Sequence, residues 1–331
     1  MLHPQTPALV LAPMEGVTDA PMRALMTERG GFTYCVSEFL RVIDSLYPTH
    51  VFHRHVPEFH NGCRTPSGTP VQIQLLGGDE EAMAFNAERA IRLGAQAIDI
   101  NFGCPSPTVN RHDGGAALLK FPERICKIVA SVRSAVPTPI PVSAKLRLGW
   151  DCNDDIHKNA EQAALGGASW ITIHARTKVQ GYAPPAHWKY IGEVRKNLDI
   201  PVIANGDIWS LEDFLRCQDV TGCSHFMIGR GALANPFLAW QIAGELKIWP
   251  HQLASEFEHT PANWLPILRR FEELSSPTSK ASTYATSRIK QWIKMAKVKS
   301  SIPWFDDIKQ IHDKNELFHA LESHASLEER H

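Results

Sequence analysis

Val71-Gln72-Ile73-Gln74-Leu75-Leu76, then Glu80–Leu93, then Ala97-Ile98-Asp99-Ile100-Asn101-Phe102 form the unit on which the fold turns. The outer segments are short and rich in apolar residues, and the middle one reads as a helix. Strand, helix and strand in that order imply two parallel strands joined by a crossover. The same alternation extends both ways. Ala8–Ala12, Tyr34–Glu38, Val142–Leu146, Trp170–His174, Pro201–Ala204 and His225–Ile228 supply six more strand-like runs. Pro122–Ala135, Asp154–Leu165 and Leu211–Gln218 supply further helices between them. Most of the runs are apolar nearly throughout, as parallel strands covered on both faces are.

Eight such units over about 240 residues suit a closed α/β barrel of the (β/α)8 TIM type, which takes roughly 250 residues. An open doubly wound sheet is the alternative. It lacks support because no Gly-x-Gly-x-x-Gly fingerprint follows the first strand. After Trp249–Pro250 the strand-like runs stop. Leu253–Phe257, Ala262–Leu274, Thr286–Lys299 and Lys309–Ser323 read as helices, with a turn at Ser275–Ser279. The expected organisation is a barrel over residues 1–248 and a small all-helical domain over 249–331.

A net charge of −1, from 34 basic and 35 acidic residues, gives no global sign of a polyanion partner, so any nucleic-acid surface must be local. The stretch Lys280–Ser301 offers one candidate. It carries Lys280, Arg288, Lys290, Lys294, Lys297 and Lys299 and no acid, and a helix places Lys290, Lys294 and Lys297 on one face. A solvated helix face is the plain alternative. No apolar run approaches the ~20 residues that span a bilayer, and Met1–Pro7 lacks the pattern of a signal peptide, so residence in the cytoplasm is the expectation. The seven cysteines include no Cys-x-x-Cys pair, and no Cys/His grouping has zinc-ligand spacing; a reduced compartment and no metal are expected.

In such a barrel the chemistry belongs at the C-terminal ends of the strands. That rule selects Ala12–Gly16, Gln74, Asn101–Pro105, Lys145 with Arg147, His174–Thr177, Asn205-Gly206-Asp207 and Gly229-Arg230-Gly231. The last two have the small residues and the fork-shaped cation of a phosphate clamp, although tight βα turns would use the same glycines. Lys145, inward in an apolar strand, calls for an anionic partner, either a ligand or an acid such as Asp99. Cys104, between Gly103 and Pro105 in a loop, is suited to donate a proton, or to attack as a nucleophile if a cation lowers its pKa. The other six cysteines read as buried and inert.

These segments, in this order, resemble the motifs of tRNA-dihydrouridine synthases. Ala12-Pro13-Met14-Glu15-Gly16-Val17-Thr18-Asp19, Gln72–Gly77, Asn101–Pro105 and Gly114–Leu119 carry the likeness, as do Lys145–Gly149, His174–Thr177, Asn205–Ile208 and Gly229–Leu233. Glu38–Val42, Val51–Arg54, Arg64–Thr69 and Arg288–Trp292 are most similar to bacterial C-type members, which act on uridine 16 of the D-loop. The resemblance implies reduction of that uridine to dihydrouridine in tRNA by a monomer that uses flavin mononucleotide (FMN) and NADPH or NADH. It implies that Pro13, Met14 and Glu15 line the flavin ring, that Gln74 and Lys145 reach its polar edge, and that His174 lies beside it. Asn205, Gly206, Asp207, Gly229 and Arg230 would hold the ribityl phosphate, and Cys104 would donate the proton. Arg41, Asn101, Tyr182, Arg288 and Lys290 match RNA-contacting positions. Asn110-Arg111-His112-Asp113 departs from the smaller, glycine-rich residues usual before Gly114, and Ala175 stands where the family has glycine. A dehydrogenase or reductase of free pyrimidines and a non-catalytic RNA-binding relative are the alternatives.

Overall fold

A computed structural model of the chain describes residues 2–3, 5–249, 257–276 and 283–328. The strands are β1 (Ala8–Leu11), β2 (Tyr34–Val36), β3 (Leu40–Arg41), β4 (Val71–Leu76), β5 (Ile98–Asn101), β6 (Val142–Arg147), β7 (Ile171–His174), β8 (Val202–Asn205) and β9 (His225–Ile228). All pair in parallel, in the order β2-β1-β9-β8-β7-β6-β5-β4-β3. Pairing of β2 with β4 (Cys35↔Val71, Val36↔Gln72) closes the ring. This is the expected (β/α)8 barrel.

The second barrel strand is where the structure departs from the expected Tyr34–Glu38. It breaks after Val36 and resumes as β3, beside Leu75 and Leu76 of β4. In the gap Ser37 Oγ accepts the N–H of Gln74 at 3.0 Å, taking the place of a backbone carbonyl. The side chain thereby satisfies a buried donor that the broken ladder leaves open.

Period-2 alternation divides the strands into an inner and an outer face. The outer residues meet the helices α1 (Ala20–Glu28), α2 (Thr49–His55), α3 (Glu80–Arg92), α5 (Pro122–Ala135), α6 (Asp155–Leu165), α7 (Trp188–Asn197) and α8 (Leu211–Thr221) in the main core, while the short α4 (Pro107–Arg111) lies in the segment after β5. Inside the barrel, Val10, Tyr34, Val36, Ile203 and Met227 form a separate apolar cluster with Trp170. The facing half of the interior is polar: Gln72, Gln74, Asp99, Ser143 and Thr172 are all buried. Buried polar groups survive only when hydrogen-bonded, so this half of the barrel is a network and not packing alone.

Two short helices, α9 (Arg230–Ala234) and α10 (Leu238–Glu245), follow the last strand. Beyond them come α11 (Pro261–Ser275), α12 (Tyr284–Ala296), α13 (Phe305–Ile308) and α14 (Lys314–Glu328). The last begins five residues later than its sequence pattern suggests. Asp313 Oδ1 accepts the N–H groups of Asn315 and Glu316 at 2.8 and 3.0 Å, a cap that sets the helix start. The expected helix Leu253–Phe257, apart from Phe257, and the turn at 277–279, with Lys280, lie outside the described residues. These helices are joined to the barrel by packing. Trp292 is buried against Trp264 in an edge-to-face pair (centroids 5.2 Å apart, planes at 83°), a geometry worth about 0.5–1.5 kcal/mol beyond its area. Its Nε1–H donates to Leu233 O at 2.9 Å.

Candidate active site at the barrel mouth

A cavity of about 430 Å³ opens at the C-terminal ends of the strands. Of the residues selected from sequence, Pro13, Met14, Glu15, Asn101, Cys104, Lys145, His174, Tyr182, Asn205, Gly206, Asp207, Gly229 and Arg230 all line it. Gln74 does not; it is fully buried one layer below, bonded to Asn101. Arg41 is half-buried on β3, outside the lining.

Cys104 is half-buried in the loop after β5. Its N–H and that of Gly103 donate to Asn101 Oδ1 at 2.9 and 2.8 Å. Its carbonyl accepts from Ala116 N at 3.1 Å and Asn110 Nδ2 at 3.2 Å. Gly115 makes this approach possible. Its φ is +60°, and a Cβ there would lie 3.0 Å from Cys104 O and 2.9 Å from Val109 Cγ1. Asn110 belongs to the segment that departs from the family pattern, yet here it braces the cysteine loop. Burial pushes the Cys104 thiol up, with Glu15 adding to the effect and Arg147 and Lys145 opposing it. The group therefore stays a thiol at neutral pH, which favours proton donation over attack as a thiolate. Of the other cysteines, Cys35, Cys63, Cys217 and Cys223 are buried as expected, but Cys126 is half-buried and Cys152 is exposed.

Across the cavity the charges are positive. Lys145 lies 3.4 Å from Asn205 Oδ1 and, among the described residues, forms no ion pair. Asp99, the sequence alternative for a partner, is engaged by Ser143 and Gln74 instead. Burial, with Arg147 alongside, brings the Lys145 ammonium down to about 8 from an ordinary 10.5, against the pull of Asp99. His174 is buried with no partner for Nδ1, and burial plus the cations Arg147, Lys145, Arg176 and Arg230 hold it neutral. Arg230 stands 4.7 Å from the Tyr182 ring and 4.8 Å from Trp209, and Arg147 stands 5.1 Å from Tyr182. Asp207 pairs with both Arg176 and Arg230, so its carboxylate orients the cations and is not itself an anion-binding group.

A half-buried cation with no ion pair among the described residues costs stability while it is protonated in the folded chain. Lys145→Met is expected to stabilise the free protein at pH 7, by at least the ~2–4 °C that one kcal/mol is worth in a chain of this order of size. The folded wild-type chain loses its proton near 8 and the unfolded chain only near 10.5, so the advantage shrinks as pH rises through that window. Thermal melts of both proteins across it check the sign.

Phe39, Trp209 and Met295 are among the lining residues that sequence reading did not single out, and Arg147 was selected at a strand end without a role. Phe39 is carried in by the break between β2 and β3. Met295 comes from α12, so the C-terminal helices complete the cavity wall. Arg147 was detectable as a second inward cation on β6. It is buried and ties three loop carbonyls together, donating to Gly103 O at 2.8 Å, Thr177 O at 3.0 Å and Gly181 O at 2.7 Å.

The basic segment is arranged differently from a free face. Arg288 is buried and donates to Gly16 O at 2.6 Å, to Val17 O and to Asp19, joining α12 to the loop after β1. Lys290 donates to Ile311 O at 2.6 Å, and Lys297 pairs with Asp306 at 2.9 Å. Lys299 lies 5.6 Å from Trp209 at the cavity rim.

Residues 10–328 match the family profile described as Dihydrouridine synthase (Dus). The tRNA-dihydrouridine(16) synthase of Pseudomonas syringae pv. tomato is 46% identical over 288 residues, covering 86% of this chain and 88% of the relative. The enzyme of the same name from Neisseria meningitidis serogroup A is 44% identical over 316 residues, covering 95% and 93%. Among solved structures, an old yellow enzyme homologue from Zymomonas mobilis shares the fold at a TM-score of 0.52 and 13% identity, over 78% of this chain and 92% of its own. A 2-naphthoyl-CoA reductase does so at 0.56 and 11%, over 72% and 50%.

Proposed function

The chain belongs to the dihydrouridine synthase family, and we propose that it reduces a uridine of the tRNA D-loop, at position 16, using FMN and NADPH, with Cys104 as the proton donor. The observation that carries this reading is a protonated thiol lining one cavity with a half-buried ammonium that, among the described residues, forms no ion pair.

The lining fits a flavin phosphate ester. Among the described residues Lys145 forms no ion pair and His174 Nδ1 is buried without a hydrogen bond, and Arg230 is held by Asp207 at the strand ends. A bound flavin supplies hydride transfer from a nicotinamide nucleotide to C6 of the uracil. Asn205, Gly206, Gly229 and Arg230 would hold the phosphate, and Lys145 and His174 the polar edge of the ring. Pro13, Met14 and Glu15 form the wall beside it. Cys104 delivers its proton to C5, and Lys145 and Arg147 lie close enough to stabilise the resulting thiolate. The base must leave its stack to enter so narrow a site, at a cost of a few kcal/mol. Tyr182, more than half exposed at the mouth and flanked by two arginines, offers that base a stacking surface.

We assign residues 249–331 to holding the RNA, with Lys294 and Lys299 as cations of the basic segment that form no ion pair among the described residues. Arg288 acts within this arrangement as the brace between α12 and the Met14 loop. We take the protein to act as a monomer, and a tRNA substrate supports residence in the cytoplasm. A free pyrimidine as substrate would leave the C-terminal helices without a task.

The decisive experiment maps dihydrouridine in tRNA from cells lacking the gene and again after its restoration. Loss at position 16 alone, reversed on restoration, is the expected result. An unchanged map overturns the proposal. Lys145→Met should also weaken FMN uptake about tenfold or more, while it stabilises the free protein.

A further inference from the structure

Beneath the cavity floor a chain of hydrogen bonds runs through the polar half of the barrel. Register places Gln74 beside Asp99 and Asp99 beside Ser143 on adjacent strands. Gln72 Nε2 donates to Ser143 Oγ at 2.9 Å, and Ser143 donates to Asp99 Oδ1 at 2.5 Å. From the other side Gln74 Nε2 donates to Asp99 Oδ2 at 2.7 Å, and Asn101 Nδ2 donates to Gln74 Oε1 at 2.9 Å. Asn101 Oδ1 in turn receives Gly103 N at 2.8 Å and Cys104 N at 2.9 Å. Every donor in the chain points toward Asp99.

We propose that Asp99 is a positioning residue for Cys104, acting through Gln74 and Asn101. An amide side chain can present either end, so its orientation is decided by its neighbours. A carboxylate offers only acceptors. Asp99 therefore turns the Gln74 nitrogen toward itself, which turns the Gln74 oxygen toward Asn101. Asn101 must then give its nitrogen to Gln74 and its oxygen to the cysteine loop. All five side chains of the chain are nine-tenths or more buried, so a reversed amide would leave donors facing donors with no water to relieve them. The two donations to Asp99 and the nearby Lys145 oppose the effect of burial, which raises its carboxyl to about 6 and so leaves it ionised at neutral pH. This inference rests on the reading of Cys104 as proton donor only for its consequence in turnover, not for the hydrogen-bond direction.

Amide hydrogen exchange tests the direction. In Asp99→Asn the Gly103 and Cys104 amides are expected to exchange about tenfold faster, the factor one hydrogen bond supplies. Dihydrouridine formation at saturating tRNA falls with them, and KM for tRNA is unchanged. Adding Gln74→Glu restores an acceptor-only group one step along: the new carboxylate can accept from the amide nitrogen introduced at position 99 and from that of Asn101. The double variant is expected to bring exchange at 103 and 104 back to within about twofold of wild type. A loss of volume or stability alone would not be repaired by that second change. Unaltered exchange in Asp99→Asn, or no recovery in the double variant, overturns the proposal. Should Asp99→Asn not fold, the wild-type protein still decides, because fast exchange at Gly103 and Cys104 there contradicts the hydrogen bonds. If Cys104 proves dispensable for turnover while the exchange results hold, the proton-donor reading fails and the relay stands.

Discussion

Cys104→Ala is expected to lower dihydrouridine formation by about 10²–10⁴-fold, the range a positioned general acid contributes, while NADPH still reduces the bound flavin at the wild-type rate. The variant should keep its loop, because the loop is held by backbone atoms and not by the sulfur. Asn101 takes the amide of residue 104, and Ala116 and Asn110 take its carbonyl. What disappears is a lining thiol that burial keeps protonated and that stands near cations favouring its conjugate base. Stopped-flow flavin reduction and single-turnover dihydrouridine yield separate the two half-reactions. Equal dihydrouridine yields from variant and wild type would remove Cys104 from the mechanism.

Glu58→Ala is expected to destabilise the fold by about 3–5 kcal/mol, lowering the melting midpoint by roughly 10 °C. Arg23 is wholly buried, and Glu58 receives its guanidinium through two parallel bonds of 2.7 Å. Removing the carboxylate strands a charge in the core, which costs more than the ion pair itself contributes. The third donor of Arg23 holds Thr18 O at 2.7 Å, and Thr18 Oγ1 accepts the N–H of Met14 at 2.7 Å. The effect therefore reaches the cavity, and flavin uptake should weaken in parallel. The double variant Arg23→Met/Glu58→Ala removes the stranded charge and is expected to recover most of the loss in thermal melts. If Glu58→Ala melts within about 2 °C of wild type, the pair contributes nothing of this kind.

Much of the site could be read before any coordinates. In a parallel barrel the strand ends face one rim, so a polar residue following an apolar run is placed by topology alone. Cys104, Lys145, His174, Asn205 and Arg230 are all of this kind, and all line the cavity. Gln74 satisfied the same inward parity but stands one layer too deep, because parity gives the face of a strand and not the depth along it. Phe39 was hidden for another reason. It enters the wall only because Ser37 Oγ replaces a backbone acceptor and lets β2 break.

By itself the chain determined the alternation of strands and helices, the closed barrel and the rim on which the polar groups gather, since these follow from local periodicity and the handed geometry of parallel crossovers. Only the tertiary structure decided the fate of the basic segment and the direction of the buried amides. Lys280–Ser301 contains no acid, yet Asp306 and the carbonyls of Gly16, Val17 and Ile311 reach its cations from elsewhere in the chain. A hydrogen bond or an ion pair depends on where two groups meet in space. Linear spacing does not encode that for a pair such as Val17 and Arg288, which stand 271 positions apart.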